Sequence, residues 1–252
     1  MDLVLLPVQE ELPLAVASMI SPSGMTLAGK HGAGVLSIGS MSTAGLQALP
    51  TQWGFAEDAA AKYGNAVDRS NWRIVMSWHI AETREQAREE AKHGLLRWHN
   101  EYTVGTLMRP GAVAFDNPDQ AVEEMSGSED AGAIIGTPDD LVNALRRMVE
   151  LTGGFGTAIG FVHDWANREA TSRSWDMVAR YVIPEVNGML DAYRESQAHV
   201  IAHRDLFDRA GQAVLSKIME NEKAVKAMSE VADAPAAMPA HHAPDLNKQD
   251  AG

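Results

Sequence analysis

Four short apolar runs along the chain predict buried strands. They lie at 12–20, 34–40, 73–80 and 157–163. None of them alternates polar and apolar residues over its whole length, a pattern typical of parallel strands whose two faces are both covered. We therefore expect each run to be a strand that is buried on both faces.

Helical periodicity fills the segments between and after these runs. Thr83, with Gln86 three residues later, predicts a capped helix start, after which apolar residues recur every three or four positions. The run Thr-Pro-Asp-Asp at 137–140 predicts a second start, with a cap residue, a first-turn proline and two acids. A third helix around Trp175 is broken or restarted at Pro184.

This alternation of strands and helices predicts an α/β fold of parallel strands joined by right-handed crossovers. A closed (β/α)₈ barrel needs eight strands and typically about 250 residues. The pattern yields four strands, because two long insertions at 44–70 and 105–136 and a long tail take up the length. Either a four-stranded open sheet or half of a larger barrel fits. After a main domain at 1–215, we expect a helical extension at 216–231 and a disordered tail at 232–252.

Composition excludes several classes of function. The 34 acidic and 21 basic residues give a formal net charge of −13, which repels nucleic-acid phosphates, so we expect no nucleic-acid partner. Because there is no cysteine, disulfides, thiolate catalysis and cysteine-ligated metals are excluded. We predict no metal site. The first residues lack a basic leader and no apolar stretch approaches roughly 20 residues, so we expect a cytoplasmic protein without membrane attachment.

The strongest chemical candidate is the run Ser-Pro-Ser-Gly at 21–24, directly after the first predicted strand. Hydroxyls and free amides at a helix start that follows a parallel strand form an anion site, where a cofactor phosphate is often held. The alternative is an ordinary turn whose serines cap the helix. A P-loop-like run at 24–30 overlaps this segment, but His31 stands where such a loop needs Ser or Thr, so we exclude nucleotide hydrolysis.

Two histidines fall at the carboxyl ends of predicted strands, the edge at which parallel α/β proteins build their active sites. His79 ends the third strand, and His163 with Asp164 ends the fourth. His163 beside Asp164 is either a proton shuttle or a hydrogen-bonded loop histidine. Ser37, on the second strand, either touches a ligand or packs in the core.

Several of these segments together resemble the bacterial luciferase-like flavin-dependent monooxygenases, in particular the branch of limonene 1,2-monooxygenase. The resemblance covers roughly residues 12–215 and its pieces follow in family order. They lie at 15–24, 27–32, 35–40, 68–73, 79–87, 135–140, 174–175 and 179–184. It implies a luciferase-like (β/α)₈ TIM barrel, of which this chain would be the carboxyl-terminal part, about strands five to eight, truncated at the amino terminus.

The resemblance also implies a cofactor site. The phosphate of FMN would be held by Ser21, Ser23 and the backbone of Gly24 and Met25. Its ring would lie near the strands that carry Ser37 and His79, and the segment His163-Asp164-Trp165 would wall the substrate side. The family's catalytic histidine would belong to the missing half, so no catalytic residue is assigned; His79, His163 and Asp164 are the candidates within this chain.

The activity implied by the resemblance is monooxygenation. Reduced FMN would activate O₂ for insertion of one oxygen atom into a small apolar organic substrate, such as the terpene limonene. NAD(P)H would act indirectly, through a flavin reductase partner. Two alternatives stay open: a deazaflavin-dependent oxidoreductase on the same fold, and an inactive half-barrel that acts only as a folding or interaction partner. Because half a barrel leaves strand edges unpaired, we expect a homo-oligomer or pairing with a missing amino-terminal half.

Overall fold

The computed structural model describes residues 12–38, 43–109, 111–127 and 132–232. The end of the second predicted strand, at 39–40, and the predicted tail after residue 232 lie outside these ranges. The described residues fall into two compact units that divide between Leu190 and Asp191. The predicted family domain, 1–215, and the extension after it stay predictions.

The first unit alternates strands and helices. Its strands are β1 (Ala15–Ser18), β2 (Gly34–Ser37), β3 (Trp72–Ile80), β4 (Ala133–Gly136) and β5 (Thr157–Phe161). Its helices are α1 (Pro22–His31), α2 (Thr43–Tyr63), α3 (Arg84–Arg97), α4 (Pro118–Ser126), α5 (Pro138–Thr152), α6 (Arg168–Met177) and α7 (Ile183–Val186). Two π-helical segments, Trp98–Thr106 and Val178–Val182, extend α3 and α6.

All the described strands are parallel and belong to one sheet. β1 pairs with β2, and β2 pairs with β3. β5 pairs with β3 along Arg73–Ser77, and β4 pairs with the last residues of β3, Ser77–Ile80. The four predicted strands and the α/β class are confirmed, while β4 was missed because it is only four residues long and lies inside a segment interpreted as an insertion.

One face of the sheet carries the main core. Trp72 and Ile74 of β3 are fully buried there against α1, α2 and α5, and Trp72 stacks on Trp53 of α2 with ring centroids 4.9 Å apart. A second apolar cluster packs α3 and α4 on β4 and includes Trp165. Because β-strand side chains alternate between faces, the main core takes every second residue of β3, from Trp72 to Ile80.

The opposite face of the sheet is open at its edges. Ala15 and Ala17 of β1 and Thr157 of β5 are exposed, and Phe161 is 48% exposed. Within the described residues, β1 pairs only with β2 and β5 only with β3. The prediction that every strand is covered on both faces is therefore wrong for β1 and β5, whose side chains on this face are exposed.

The segment at 44–70 is not an insertion. It holds α2, the helix that follows β2 and packs against α1 and the sheet. Pro50 and Gly54 lie inside this helix, and because both residues disfavour helices, they hide its periodicity. The buried stripe of α2 carries Leu49, Gln52, Trp53 and Ala56.

Helix starts follow the predicted caps. Thr83 accepts a hydrogen bond from the Gln86 amide, although the Gln86 side chain binds elsewhere and does not complete a capping box. At α5 the box is complete between Thr137 and Asp140. Hydrogen bonds from Arg84 and Thr137 outweigh the effect of burial and lower the pKa of Asp140 to about 2.

The second unit consists of helices α8 (Asp191–Ala202), α9 (Arg204–Met219) and α10 (Glu222–Ala232). Large apolar side chains of these helices, among them Ile201, Phe207 and Val214, are more than half exposed. Across the described part of the chain, no helix combines the length and the apolar character needed to cross a membrane.

Candidate functional site

The turn between β1 and α1 presents hydroxyl and amide groups to solvent. Ser21 is the N-cap residue, with extended backbone angles, but its side chain makes no capping hydrogen bond. Its Oγ instead lies 2.6 Å from the Oγ of Ser23, and both residues are exposed. The amides of Ser23 and Gly24 lie in the first helical turn, where no intrahelical acceptor exists. This turn can therefore donate several hydrogen bonds to an anion.

Gly24 lets helix α1 approach β1 closely. A Cβ at this position would lie 2.8 Å from the carbonyl oxygen of Ala17 and 2.9 Å from Cβ of Ser18. Both distances are shorter than real Cβ contacts allow, so the turn requires glycine. The side chain of Met25 is fully buried in the main core, which leaves only its backbone to take part in binding.

Ser37 lies in the core. It is fully buried, and its Oγ accepts a hydrogen bond of 2.9 Å from the indole N–H of Trp72. Its side chain shares the sheet face that packs against the helices, since Ser37 pairs in register with Ile74. The structure thus satisfies this hydroxyl within the protein, and a ligand contact from Ser37 stays a prediction.

His79 belongs to a network that links β3 to two helices. Its Nε2 lies 2.9 Å from a carboxylate oxygen of Glu90 on α3, and only 4% of His79 is exposed. The other oxygen of Glu90 accepts hydrogen bonds from Gln86, at 2.9 Å, and from Arg173 of α6. Burial raises the pKa of Glu90, but these hydrogen bonds and the charge of Arg173 outweigh it and hold the pKa below its usual value.

His163 lies at the open face of the sheet, in an aromatic stack. Its Nε2 is 2.9 Å from Oγ of Ser77 on β3. The imidazole stacks on the rings of Trp165 and Phe161, with centroid distances of 4.1 Å and 4.9 Å. The Trp98 ring packs edge-on against it, with its centroid 4.9 Å away. Burial lowers the pKa of His163 to about 4, against the opposing effect of Asp164. The imidazole is therefore neutral at physiological pH.

Asp164 and Trp165 follow His163 but act separately from it. The carboxylate of Asp164 binds Arg97 at 2.9 Å on the surface. Trp165 is 3% exposed, and its indole N–H is buried without a hydrogen-bond partner in the described structure. Among the described residues, no hydrogen bond joins Asp164 to His163, and a role of either side chain in proton transfer or in a substrate wall stays a prediction.

We expect the imidazole of His163 to titrate near pH 4 in the folded chain. Because the unfolded chain takes up this proton near pH 6.5, the folded state loses stability as pH falls from about 6.5 to about 4, and no more below that. The loss from this one group should be on the order of 1 kcal/mol after allowance for solvent screening. Imidazole ¹⁵N chemical shifts followed against pH measure the titration directly.

The matched variant for this prediction is His163→Gln. It should show a smaller decrease in urea midpoint between pH 7 and pH 4.5 than the wild-type chain. A His163 titration midpoint near 6.5 would show that the stack does not hold the imidazole neutral.

The sequence analysis missed three polar side chains that hydrogen-bond the candidate site residues or the β1–α1 turn. Ser77 holds His163, Glu90 holds His79, and the amide of Gln52 on α2 donates to the carbonyl of Met19 at 2.5 Å. The one available signal was an amide in the apolar stripe of a helix, at Gln52, and it was hidden because the segment was interpreted as an insertion.

Comparison with known proteins finds relatives of about twice the matched length. The chain is 40% identical over 191 residues to 4-hydroxyprotoasukamycin monooxygenase of Streptomyces nodosus subsp. asukaensis, covering 75% of this chain and 51% of the relative. It is 37% identical over 217 residues to limonene 1,2-monooxygenase of Rhodococcus erythropolis, covering 84% and 54%. The chain thus spans about half the length of the curated relatives it matches. No family model matches the chain.

Among solved structures, the fold is similar to the oxygenating constituent of 3,6-diketocamphane monooxygenase from Pseudomonas putida, which was determined in complex with FMN. The TM-score is 0.52 at 23% identity, over 68% of this chain and 48% of that one. The similarity supports a parallel α/β sheet that corresponds to about half of a TIM barrel.

Proposed function

The chain is a homologue of the luciferase-like flavin-dependent monooxygenases that matches about half of their length, and from this relationship we propose that it binds FMN and contributes to the monooxygenation of a small apolar organic substrate. The observation that carries the proposal is the β1–α1 turn. Its two serine hydroxyls are exposed and neither is used as a helix cap.

The phosphate of FMN fits the donors of this turn. Ser21 and Ser23 supply hydroxyls, and the first-turn amides of Ser23 and Gly24 supply N–H groups in the direction that a helix start favours for anions. The close approach at Gly24 keeps these amides against the end of β1. Together they give the phosphate a fixed position at the carboxyl end of a parallel strand, where α/β proteins bind their ligands.

The substrate side is proposed at the open face of the sheet, beside His163. Phe161, which is 48% exposed, offers apolar surface there, and the neutral imidazole that stacks on it places no charge next to this surface. When bound, reduced FMN supplies the activation of O₂ and the transfer of one oxygen atom. The residues of the chain position the substrate and keep water away. Because two relatives are named for limonene and diketocamphane, a terpene-like substrate is the candidate that we favour.

Two further partners follow from the proposal. Reduced flavin would come from a separate NAD(P)H-dependent reductase, so that NAD(P)H acts indirectly. The unpaired edges of β1 and β5 would be paired in the active assembly with strands from a second copy or from a complementary half-barrel. Sedimentation of the chain with and without FMN decides which assembly binds the cofactor.

The double variant Ser21→Ala/Ser23→Ala tests the proposal. Each lost hydrogen bond to a charged phosphate is worth about 1.5–3 kcal/mol, so we expect FMN to bind at least about tenfold more weakly. The measurement is a titration of FMN fluorescence with the purified full chain. Riboflavin, which lacks the phosphate, should bind the variant and the wild type equally.

Thr26→Ala is the matched control, because it removes an exposed hydroxyl one turn further along the same helix. Its FMN affinity should equal that of the wild type. If the serine double variant binds FMN as tightly as Thr26→Ala does, the phosphate lies elsewhere. If the wild type does not distinguish FMN from riboflavin, the proposed cofactor site is wrong.

A further inference from the structure

Gln52 is a buried amide in an otherwise apolar helix face. Only 1% of it is exposed, and its neighbours on the same stripe of α2, Leu49, Trp53 and Ala56, are buried apolar residues. An amide buried in such surroundings costs free energy unless it is hydrogen-bonded. Its Oε1 has no partner within the described structure, so the cost is only partly offset. An apolar side chain would pack there at a lower cost in free energy. Packing alone therefore does not explain why this position holds an amide.

Within the described part of the chain, Gln52 makes one hydrogen bond, and this bond is directed at the β1–α1 turn. Its Nε2 donates to the carbonyl of Met19 at 2.5 Å, across 33 positions of sequence. Met19 lies in the three-residue link between Ser18, the last residue of β1, and Pro22, the first of α1. The orientation of the amide is fixed, because a flipped amide would place two oxygens against each other.

This hydrogen bond sets the direction of the peptide that leads into Ser21. The peptide between Met19 and Ile20 is trans and planar, so a carbonyl held toward Gln52 turns the amide of Ile20 the opposite way. Gly24 holds the far side of the turn by its close approach to Ala17 and Ser18. The link is thereby fixed at two points, one on each side of the serine hydroxyls.

We propose that Gln52 is a positioning residue for the phosphate-binding turn: it orients the link at 19–21 so that the hydroxyls of Ser21 and Ser23 and the first-turn amides converge on one anion. The inference rests on the proposed function, since it assigns Gln52 to the same phosphate. It acts through the backbone of Met19 and makes no contact with the cofactor itself.

Gln52→Met tests the inference, because methionine has nearly the same length and lacks only the amide. The loss of one hydrogen bond is partly offset by removal of the unpaired Oε1, so the urea midpoint should change little. The preference of the full chain for FMN over riboflavin should nevertheless fall about fivefold or more. In the cofactor-free protein, the backbone amide chemical shifts of Ile20, Ser21, Ser23 and Gly24 should move away from their wild-type values.

Leu49→Met is the control, since it makes a similar substitution at an equally buried position of the same helix. It should leave both the FMN preference and these amide chemical shifts at wild-type values. If Gln52→Met matches this control in both measurements while the wild type prefers FMN, Gln52 has only a packing role and the inference is wrong. If the wild type itself shows no preference for FMN, the phosphate assignment fails first, and the role of Gln52 toward a phosphate fails with it.

Discussion

Gly29→Ala should unfold the first unit or reduce its stability by about 3 kcal/mol or more. Gly29 lies in α1 where it crosses α2, and an added Cβ would lie 2.1 Å from the backbone carbonyl oxygen of Ala56 and 2.9 Å from Cβ of Ala59. A backbone carbonyl inside a helix cannot move aside without distorting that helix. The single methyl group must therefore separate α1 from α2.

The expected loss of stability is opposite in sign to the usual effect of replacing glycine by alanine inside a helix. There, replacement of glycine gains up to about 1 kcal/mol through helix propensity. Gly54 of α2 supplies that comparison, because no atom lies within 4 Å of a Cβ placed on it. Gly54→Ala should be neutral or mildly stabilising, whereas Gly29→Ala should lower the urea midpoint strongly or prevent soluble expression.

Urea unfolding followed by circular dichroism measures both variants. Equal stability of Gly29→Ala and Gly54→Ala would show that α1 and α2 do not cross as closely as the structure has them. Because α1 also carries the Ser21–Gly24 turn, a folded Gly29→Ala chain should bind FMN more weakly as well.

Four of the five described strands and the β1–α1 turn were predictable because their signals are local. A parallel strand shows as a short apolar run, and the run Ser-Pro-Ser-Gly after β1 shows both a helix start and its free donors. Helix α2 was not predicted, since Pro50 and Gly54 interrupt its pattern while tertiary packing of Leu49 and Trp53 overrides their low helix propensity.

The remaining features of the site depend on contacts between distant positions. Ser77 meets His163 across 86 positions, and Glu90 meets Arg173 across 83. Nothing in the sequence around Ser77 or Glu90 identifies either residue as part of the site. Each gains its partner only when a distant element packs against its own strand or helix. The sequence placed His79 and His163 correctly at strand ends. It gave no sign that the Glu90 carboxylate binds the His79 imidazole, or that aromatic rings surround the His163 imidazole.

The largest electrostatic effect should come from Glu90. Glu90→Gln keeps the size of the side chain and removes its charge, leaving Arg173 without its anion and His79 with a weaker partner. Since hydrogen bonds to charged groups are worth about 1.5–3 kcal/mol and the carboxylate is only 19% exposed, we expect a loss of about 2 kcal/mol at pH 7. Urea unfolding of the full chain measures it.

Asp164→Asn is the control for this loss. It removes the ion pair with Arg97, a contact of 2.9 Å whose two side chains are 55% and 76% exposed. Exposed pairs contribute at most about 1 kcal/mol and commonly nothing, so this variant should keep most of its stability. A larger loss of stability for Glu90→Gln than for Asp164→Asn would show that a carboxylate joining three elements contributes more than a carboxylate in a surface ion pair.

Acidification supplies the second test of Glu90. Its pKa is lowered in the folded state, so the stability that it contributes is present above the unfolded value near pH 4.3 and is lost as pH falls through the lower folded value. The difference between the wild type and Glu90→Gln should therefore be full at pH 7 and shrink at pH 3. A loss no larger than that of Asp164→Asn, with no dependence on pH, would mean that the carboxylate does not tie β3 to α3 and α6.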